Sequence, residues 1–334
     1  MADSGNIPNN LMEVIRYFSD RDVCIEFVAS LRWMNGVTCP HCKSRLVGFL
    51  KTRRIWKCKD SSCRKQFSVK TGTIFEESPI PLDKWLMAIW LVVNCKNGIS
   101  SYEIARDLKV TQKSAWFMLH RIRLALKNNS WAKIGGPEGA ESDEAFFGGN
   151  PQKMHKKRRL KVNVEHQATP ADERSHWPNK TTVLGMYDRE SRQVRAKVIP
   201  NMKRETLQNE ILANIHQGSR LYTDQVNAYT TLAGKYVHET VNHADQYVRG
   251  QVHTNCLENF WSLMKRHLRG TYVSVEPFHL DRYLDEQVFR FNNRGTKDNP
   301  LNDGDRFMLA VSQISGKRLT YAELTGKVGQ TPVA

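Results

Sequence analysis

Four cysteines set the strongest constraint on how this chain can fold. Cys39 and Cys42 form a C-x2-C pair, Cys58 and Cys63 a C-x4-C pair, and fifteen residues separate the pairs. Two thiolate pairs on two tight turns supply four sulfur ligands in tetrahedral geometry, the preferred coordination of structural zinc. The intervening LVGFLKTRRIWKC reads as a short strand pair, so the segment is predicted to be a zinc ribbon. A metal replaces the apolar core that so short a segment cannot build. His41 lies inside the first knuckle and is predicted to be exposed rather than a ligand. A disulfide framework is the other use of closely spaced cysteines, and it belongs to oxidising compartments. The opening MADSGNIPNN has neither the basic start nor the apolar stretch of a secretory leader, so a reducing compartment is expected.

The chain is strongly basic, with 50 Lys and Arg against 34 Asp and Glu and a net charge of +16. Such a balance favours a polyanionic partner, and nucleic acid is the first candidate. The ribbon itself carries Lys43, Arg45, Lys51, Arg53, Arg54, Lys57, Lys59, Arg64 and Lys65. These either touch DNA or form a solvated face; beside the overall charge, DNA is favoured. No window approaches the roughly 18 apolar residues of a membrane span. The best, WLMAIWLVVNC, is flanked by Lys84 and Lys96 and reads as a buried helix. A membrane partner is therefore not expected.

Two short amphipathic helices precede the ribbon, the second started by Asp20. After the ribbon, a helix is predicted over Leu82 to Asn94. SSYEIARDLKVTQKSAWFMLHRIRLAL then has the pattern of a helix-turn-helix, with Ser100 and Glu103 as a capping box. Ala115, Leu119, Ile122 and Leu126 would face inward, leaving Gln112, Lys113, Trp116, His120, Arg121 and Arg123 for a groove. The same helix pair is also a common structural hairpin. Residues 128–142, rich in glycine and without periodicity, read as a linker.

Beyond the linker the pattern turns from helical to alternating. GAESDEAFFGG is predicted as a strand. A basic excursion follows, with Lys156, Lys157, Arg158 and Arg159 at its centre, and is expected to be a long loop to Asn179. KTTVLGMYD and RQVRAKVI form a hairpin, ETLQNEILANIHQ a helix, SRLYTD a strand, QVNAYTTLAG a helix and YVHETVNH a strand. Helices over His253–Tyr272 and about Phe278–Asn293 close the series, and the tail from Thr296 has a weaker helix near Asp303 to Ile314. This order is that of a ribonuclease H-like α/β domain, a mixed sheet with flanking helices.

Three carboxylates are placed to meet in such a domain. Asp143 lies in the first strand, Asp224 ends the strand after the first crossover helix, and Glu258 lies on the helix that follows. Active sites of α/β sheets collect where loops leave strand ends. On the helix, Leu257, Trp261, Met264 and Leu268 form an apolar stripe, while Asn255, Glu258, Ser262 and Lys265 form a polar one beside it. Convergent carboxylates need divalent cations to offset their repulsion, and oxygen ligands suit Mg2+ or Mn2+. Two such ions can activate a water or a 3′-hydroxyl and stabilise the leaving oxygen of a phosphodiester. Glu144 would point to the opposite face of its strand and is ranked lower.

On LRWMNGVTCPHC, the second cysteine pair, FSVKTGTIF, the helix-turn-helix, SDEAFFGG, LYTDQVNAY, HTNCLENFWSLMKRHLRGTY and HLDRYLDEQVFRFNNR, the chain resembles the bacterial ISXO-like insertion-sequence transposases. These have an N-terminal zinc ribbon and a DDE-type ribonuclease H-like catalytic domain. The resemblance covers about residues 15–295. It implies Asp143, Asp224 and Glu258 as metal-binding acids and Lys265 as their basic partner. Some members of the group carry Asn as the third residue, which makes Asn255 a rival to Glu258; the carboxylate is preferred as the better ligand of a hard cation. The implied organisation is N-terminal helices at 1–35, zinc ribbon at 36–72, helix-turn-helix module at 80–128, catalytic domain at 138–295 with a basic insertion at 150–179, and a tail at 296–334. The implied function is binding of double-stranded DNA at terminal inverted repeats, strand cleavage and joining of the 3′-hydroxyl to target DNA. It would be carried out by a homodimer or larger assembly in the bacterial cytoplasm, at the nucleoid. A DNA-binding regulator with an inactive domain, and a metal-dependent nuclease without strand transfer, are the alternatives.

Overall fold

The computed structural model describes residues 8–127, 132–149, 153–170, 178–224, 232, 234–241, 253–297 and 299–327. The chain divides into two compact units, one of residues 1–127 with 293–334 and one of residues 128–292. In the first, α1 (Leu11–Tyr17) starts at Asn10, whose side chain accepts the Glu13 N–H. Helix α2 (Arg21–Arg32) starts at Asp20, which accepts the N–H groups of Asp22 and Val23. Strands β1 (Val47–Leu50), β2 (Ile55–Cys58) and β3 (Gln66–Phe67) form an antiparallel ribbon in that order. Trp33, Trp56 and Phe67 pack edge and face against one another beneath it. Helix α3 (Leu82–Asn94) has the bounds predicted for it and is buried on most of its surface, as its nearly unbroken apolar run requires. Helices α4 (Ser101–Leu108) and α5 (Gln112–Leu126) follow. The Ser100–Glu103 capping box is present, and Lys109 turns the chain between them in the left-handed conformation.

The second unit is built on a five-stranded sheet of order β6-β5-β4-β7-β8. Its elements in chain order are β4 (Ala140–Phe147), α6 (Lys156–Ala168), β5 (Thr181–Asp188), β6 (Gln193–Ile199), α7 (Arg204–Asn214), β7 (Arg220–Asp224), β8 (Val237–Val241), α8 (Asn255–His267) and α9 (Leu280–Asn292). Strands β4, β5 and β6 are antiparallel, whereas β7 runs parallel to both β4 and β8. The first and fourth strands are therefore neighbours, as a ribonuclease H-like sheet requires. The predicted helix over 225–234 falls largely outside the described residues.

Alternation sorts the sheet into two apolar faces. Ala145, Phe147, Val183, Tyr187 and Val194 pack against Leu257, Phe260, Trp261 and Met264 of α8 and Leu280, Leu284, Val288 and Phe291 of α9. Ala140, Leu184, Met186 and Ile199 pack against Leu207 and Ile211 of α7. Gly185 sits where α8 comes closest to the sheet. A Cβ there would lie 2.4 Å from Cζ2 of Trp261, so only glycine lets the indole lie down on β5.

One expectation is corrected. The excursion after β4 contains α6 rather than an uninterrupted loop, and α6 buries none of its residues. Lys, Arg, Leu, Glu and Gln favour helix intrinsically, but a helix without a buried face shows no apolar periodicity to read. The helix expected near Asp303 to Ile314 is present. Helices α10 (Asp303–Ser312) and α11 (Tyr321–Leu324) belong to the first unit, and Phe307, fully buried, packs on Phe18, Phe27 and Trp90.

Candidate active site

Asp143 occupies the middle of β4 on the face that α8 covers. Its Oδ2 accepts the indole N–H of Trp261 at 2.9 Å, and its Oδ1 accepts the Glu144 backbone N–H at 2.8 Å. Ser142 pairs with Thr223 in the parallel register, which sets Asp224 beside Asp143 at the end of β7. The Thr254 hydroxyl donates to Oδ1 of Asp224 at 3.4 Å. Glu258 comes from the first turn of α8 and is exposed. The charges of Asp224 and Glu258 both act on Asp143. Burial first, then Asp224, raise its carboxyl to about 6 against a usual 3.8, while the Trp261 hydrogen bond pulls the other way. The structure thus places Asp224 and Glu258 within electrostatic reach of Asp143, from two adjacent strands and one helix, although among the described residues only the four cysteines bring three or more ligand atoms within 4.8 Å of one another.

What holds α8 in this place was not read from the sequence. Glu141, two residues before Asp143 and on the same face of β4, is fully buried. Its Oε2 accepts the N–H groups of Cys256 at 3.1 Å and Leu257 at 3.3 Å. These are among the orphan donors that begin a helix, and no side chain at Thr254 caps them. Oε1 of Glu141 accepts from Arg189 Nε at 2.9 Å. Arg189, at the end of the β5 hairpin strand, also donates to the His253 carbonyl at 2.7 Å and lies 3.9 Å from the centroid of the Tyr222 ring in β7. One buried carboxylate thus ties the start of α8 to β4, and Glu258 follows directly on the tied amides. The signal was available as ESD, an acid at i−2 from Asp143, where alternation places it on the site face.

A cavity of about 730 Å³ opens beside the acids. Asp143, Glu144 and Glu258 line it together with Trp261, Ser262, Lys265, Arg266, Arg269 and Gly270. Lys265 is therefore where the helical stripe predicted it, while Asp224 and Asn255 lie outside the lining. Asn255 is exposed as the first residue of α8. Glu144, ranked low from strand alternation, is nonetheless part of this electrostatic group. Its carboxyl is raised to about 8 by burial first, then by Asp143 and Asp224. Carboxylate oxygens are hard donors, the kind that Mg2+ and Mn2+ prefer.

In the ribbon, Cys39, Cys42, Cys58 and Cys63 bring their sulfurs within 4.8 Å of one another. Cys39 and Cys63 are 3.8 Å apart, and Cys42 and Cys58 3.6 Å. A tetrahedron with Zn–S bonds of about 2.3 Å has S–S edges of about 3.8 Å. The four cysteines form a structural zinc site.

The groove-facing set of the helix pair needs correction. His120, Arg121 and Arg123 are buried, with exposures of 0, 5 and 1%. Arg121 donates to the carbonyls of Leu319, Ile74 and Glu76, tying α5 to the C-terminal segment and to the turn after the ribbon. Those partners lie 45 to 198 residues away in sequence, beyond what a helical wheel can anticipate. Lys113 stays exposed and Trp116 half-buried. Lys156, Lys157, Arg158 and Arg159 all lie exposed on α6.

Residues 135–292 match the model of the ISXO2-like transposase domain, and residues 19–66 that of the transposase zinc-ribbon domain. A transposase-like protein of Haemophilus influenzae is 32% identical over 101 residues, 30% of this chain and 81% of that protein. The chain belongs to the ISXO2-like transposase family. A protein of the transposable element ISH50 from Halobacterium salinarum is 28% identical over 295 residues, covering 84% of this chain and 95% of the relative. A solved intasome of simian T-cell lymphotropic virus with a PP2A regulatory subunit has 13% identity and a TM-score of 0.26 over 57% of this chain and 63% of that one, too low a likeness to bear on this fold. Among the described residues no helix is long and apolar enough to cross a membrane.

Proposed function

We propose that this transposase-family chain cuts DNA strands at the ends of its element and joins the freed 3′-hydroxyl to target DNA. The observation that carries the reading is the meeting of Asp143, on β4, with Asp224, on the adjoining strand, and Glu258, on the helix across them. Asp143, Asp224 and Glu258 would hold two Mg2+ or Mn2+ ions. Such ions supply Lewis acidity to the phosphodiester and lower the pKa of the attacking hydroxyl. The protein's own part is positional. Trp261 fixes one oxygen of Asp143, Glu141 fixes the start of α8, and Lys265 stands on the cavity wall to neutralise a phosphate. Glu258 is preferred to Asn255 as third residue because it lines the cavity and acts on Asp143.

The zinc ribbon and the α4–α5 pair would bind double-stranded DNA at the terminal inverted repeats, with Lys113 and Trp116 facing it. The unburied basic face of α6 would lie along DNA, and two ends held together call for a homodimer or larger assembly at the bacterial nucleoid. A Mn2+ assay of nicking and joining, on DNA carrying the element's ends, tests the reading. Wild type should yield joined products, while Asp224→Asn and Glu258→Gln each fall at least a hundredfold and Asn255→Ala far less. Cleavage without joining would favour a nuclease, and DNA binding with neither would favour a regulator. Full activity in both acid variants would overturn the assignment.

A further inference from the structure

The polar stripe of α8 continues past Lys265. At about 100° per residue, Ser262, Lys265 and Arg266 stand at roughly +40°, −20° and +80° from Glu258, and Arg269 follows two residues past the end of the α-helix. All of them line the same cavity as Asp143 and Glu258. The lining therefore combines the acids with three exposed cations, Lys265, Arg266 and Arg269. Measured along the axis, Lys265 lies roughly 10 Å and Arg269 roughly 16 Å beyond Glu258. The step of roughly 6 Å from Lys265 to Arg269 suits two neighbouring phosphates of an extended strand rather than one anion.

The backbone supports the same use. The α-helix passes at Leu268–Tyr272 into a π-helical turn, a device that re-aims side chains and is frequent at functional sites. Val273 then closes the turn at φ 60° and ψ −55°, the geometry of a γ-turn, with the Ser274 N–H donating to the Tyr272 carbonyl, a conformation that β-branched residues seldom adopt. Gly270 faces open space, with no atom within 4 Å of where a Cβ would be, so the mouth of the cavity is clear beside Arg269.

We propose that Lys265, Arg266 and Arg269 form a phosphate track that holds the DNA strand leading away from the acids. The idea rests on the proposed function for the identity of its ligand and goes beyond it in assigning Arg266 and Arg269. The competing account is local: cations in the last turn of a helix stabilise its dipole and touch no ligand.

The test measures equilibrium binding of the whole zinc-loaded chain to a 40-base-pair duplex across a salt series, with Ca2+ present and no turnover required. Each lost phosphate contact flattens the slope of log K against log salt by about 0.9 on duplex and about 0.7 on a single strand. Arg266→Ala with Arg269→Ala should flatten it by about 1.4–1.8, and the paired Arg→Lys variant should restore most of the slope. Lys235→Ala, an exposed cation at the opposite end of the parallel strands from Asp224, is the charge control and should change it little. An unchanged slope in the double variant, or an equal change in the control, overturns the track. Because binding is read without catalysis, a track that survives in a protein that cuts nothing would sink the proposed function alone.

Discussion

Replacing Glu141 with alanine removes the group that joins β4 to the start of α8. The carboxylate has no solvent exposure and Arg189 has 12%, so neither partner can turn to water when the other is lost. Breaking a buried pair by removing one side leaves an uncompensated charge, at about 3–5 kcal/mol. Arg189 keeps the His253 carbonyl and the Tyr222 ring, which softens that loss. The amides of Cys256 and Leu257 lose their cap, adding about 1 kcal/mol. The sum for Glu141→Ala is about 3–5 kcal/mol, a large share of the 5–15 kcal/mol that holds a typical domain together. Glu141→Gln keeps the volume and one acceptor and should lose about half as much.

Urea unfolding gives the magnitude, and amide hydrogen exchange over residues 253–268 gives the place. Exchange should rise first at the amides of Cys256 and Leu257, ahead of the rest of α8. Pairing Glu141→Leu with Arg189→Met should be less damaging than the two single changes added together, since no orphan charge then remains. The reasoning is refuted if Glu141→Ala shifts stability by under about 1 kcal/mol, or if the two single effects simply add.

Three further outcomes are expected. For Asp143, a carboxyl raised from 3.8 to about 6 in the fold binds its proton more tightly folded than unfolded. That contribution, on the order of 3 kcal/mol, is complete below about pH 4 and is lost as pH rises through about 6. Metal-free protein should therefore lose stability between pH 4 and 7, and Mg2+ should restore more at pH 7 than at pH 5; thermal melts that run the other way would contradict it. Gly185→Ala should destabilise by about 1–3 kcal/mol through overpacking against Trp261, measured by urea midpoint, with Trp261→Phe in the same chain recovering part of the loss because Cζ2 and Cη2 belong to the outer indole ring that phenylalanine lacks. Metal analysis should find one zinc per chain, and Cys58→Ser should reduce it to near zero and open the ribbon strands to proteolysis.

The elements that carry apolar periodicity were legible from residues alone. The α8 stripe of Leu257, Trp261 and Met264 is buried as the wheel required, and α3 has the bounds its apolar run implied. The cysteine spacing likewise led straight to a four-sulfur cluster. The illegible parts depend on distant partners. Arg121 reads as a groove-facing cation until the carbonyls of Leu319 and Ile74 are seen to accept its hydrogen bonds. Helix α6 has no packed face to announce it. Glu141, an acid in a strand, reads as a solvated charge until its partners Arg189 and the Cys256 amide are in place. Glu144 was set aside on alternation, although burial and its neighbours' charges raise its carboxyl with that of Asp143.

The central claim is that three acids from β4, β7 and α8 make one metal site. Crystals soaked in Mn2+ test it most directly, through anomalous difference maps collected at the manganese edge. The account expects two peaks about 3.5–4 Å apart, with Asp143 between them and Asp224 and Glu258 each within about 2.2 Å of at least one. Occupancy should vanish in Asp224→Asn. Manganese held instead by Asn255, or absent from these carboxylates at saturating concentration, would contradict the account.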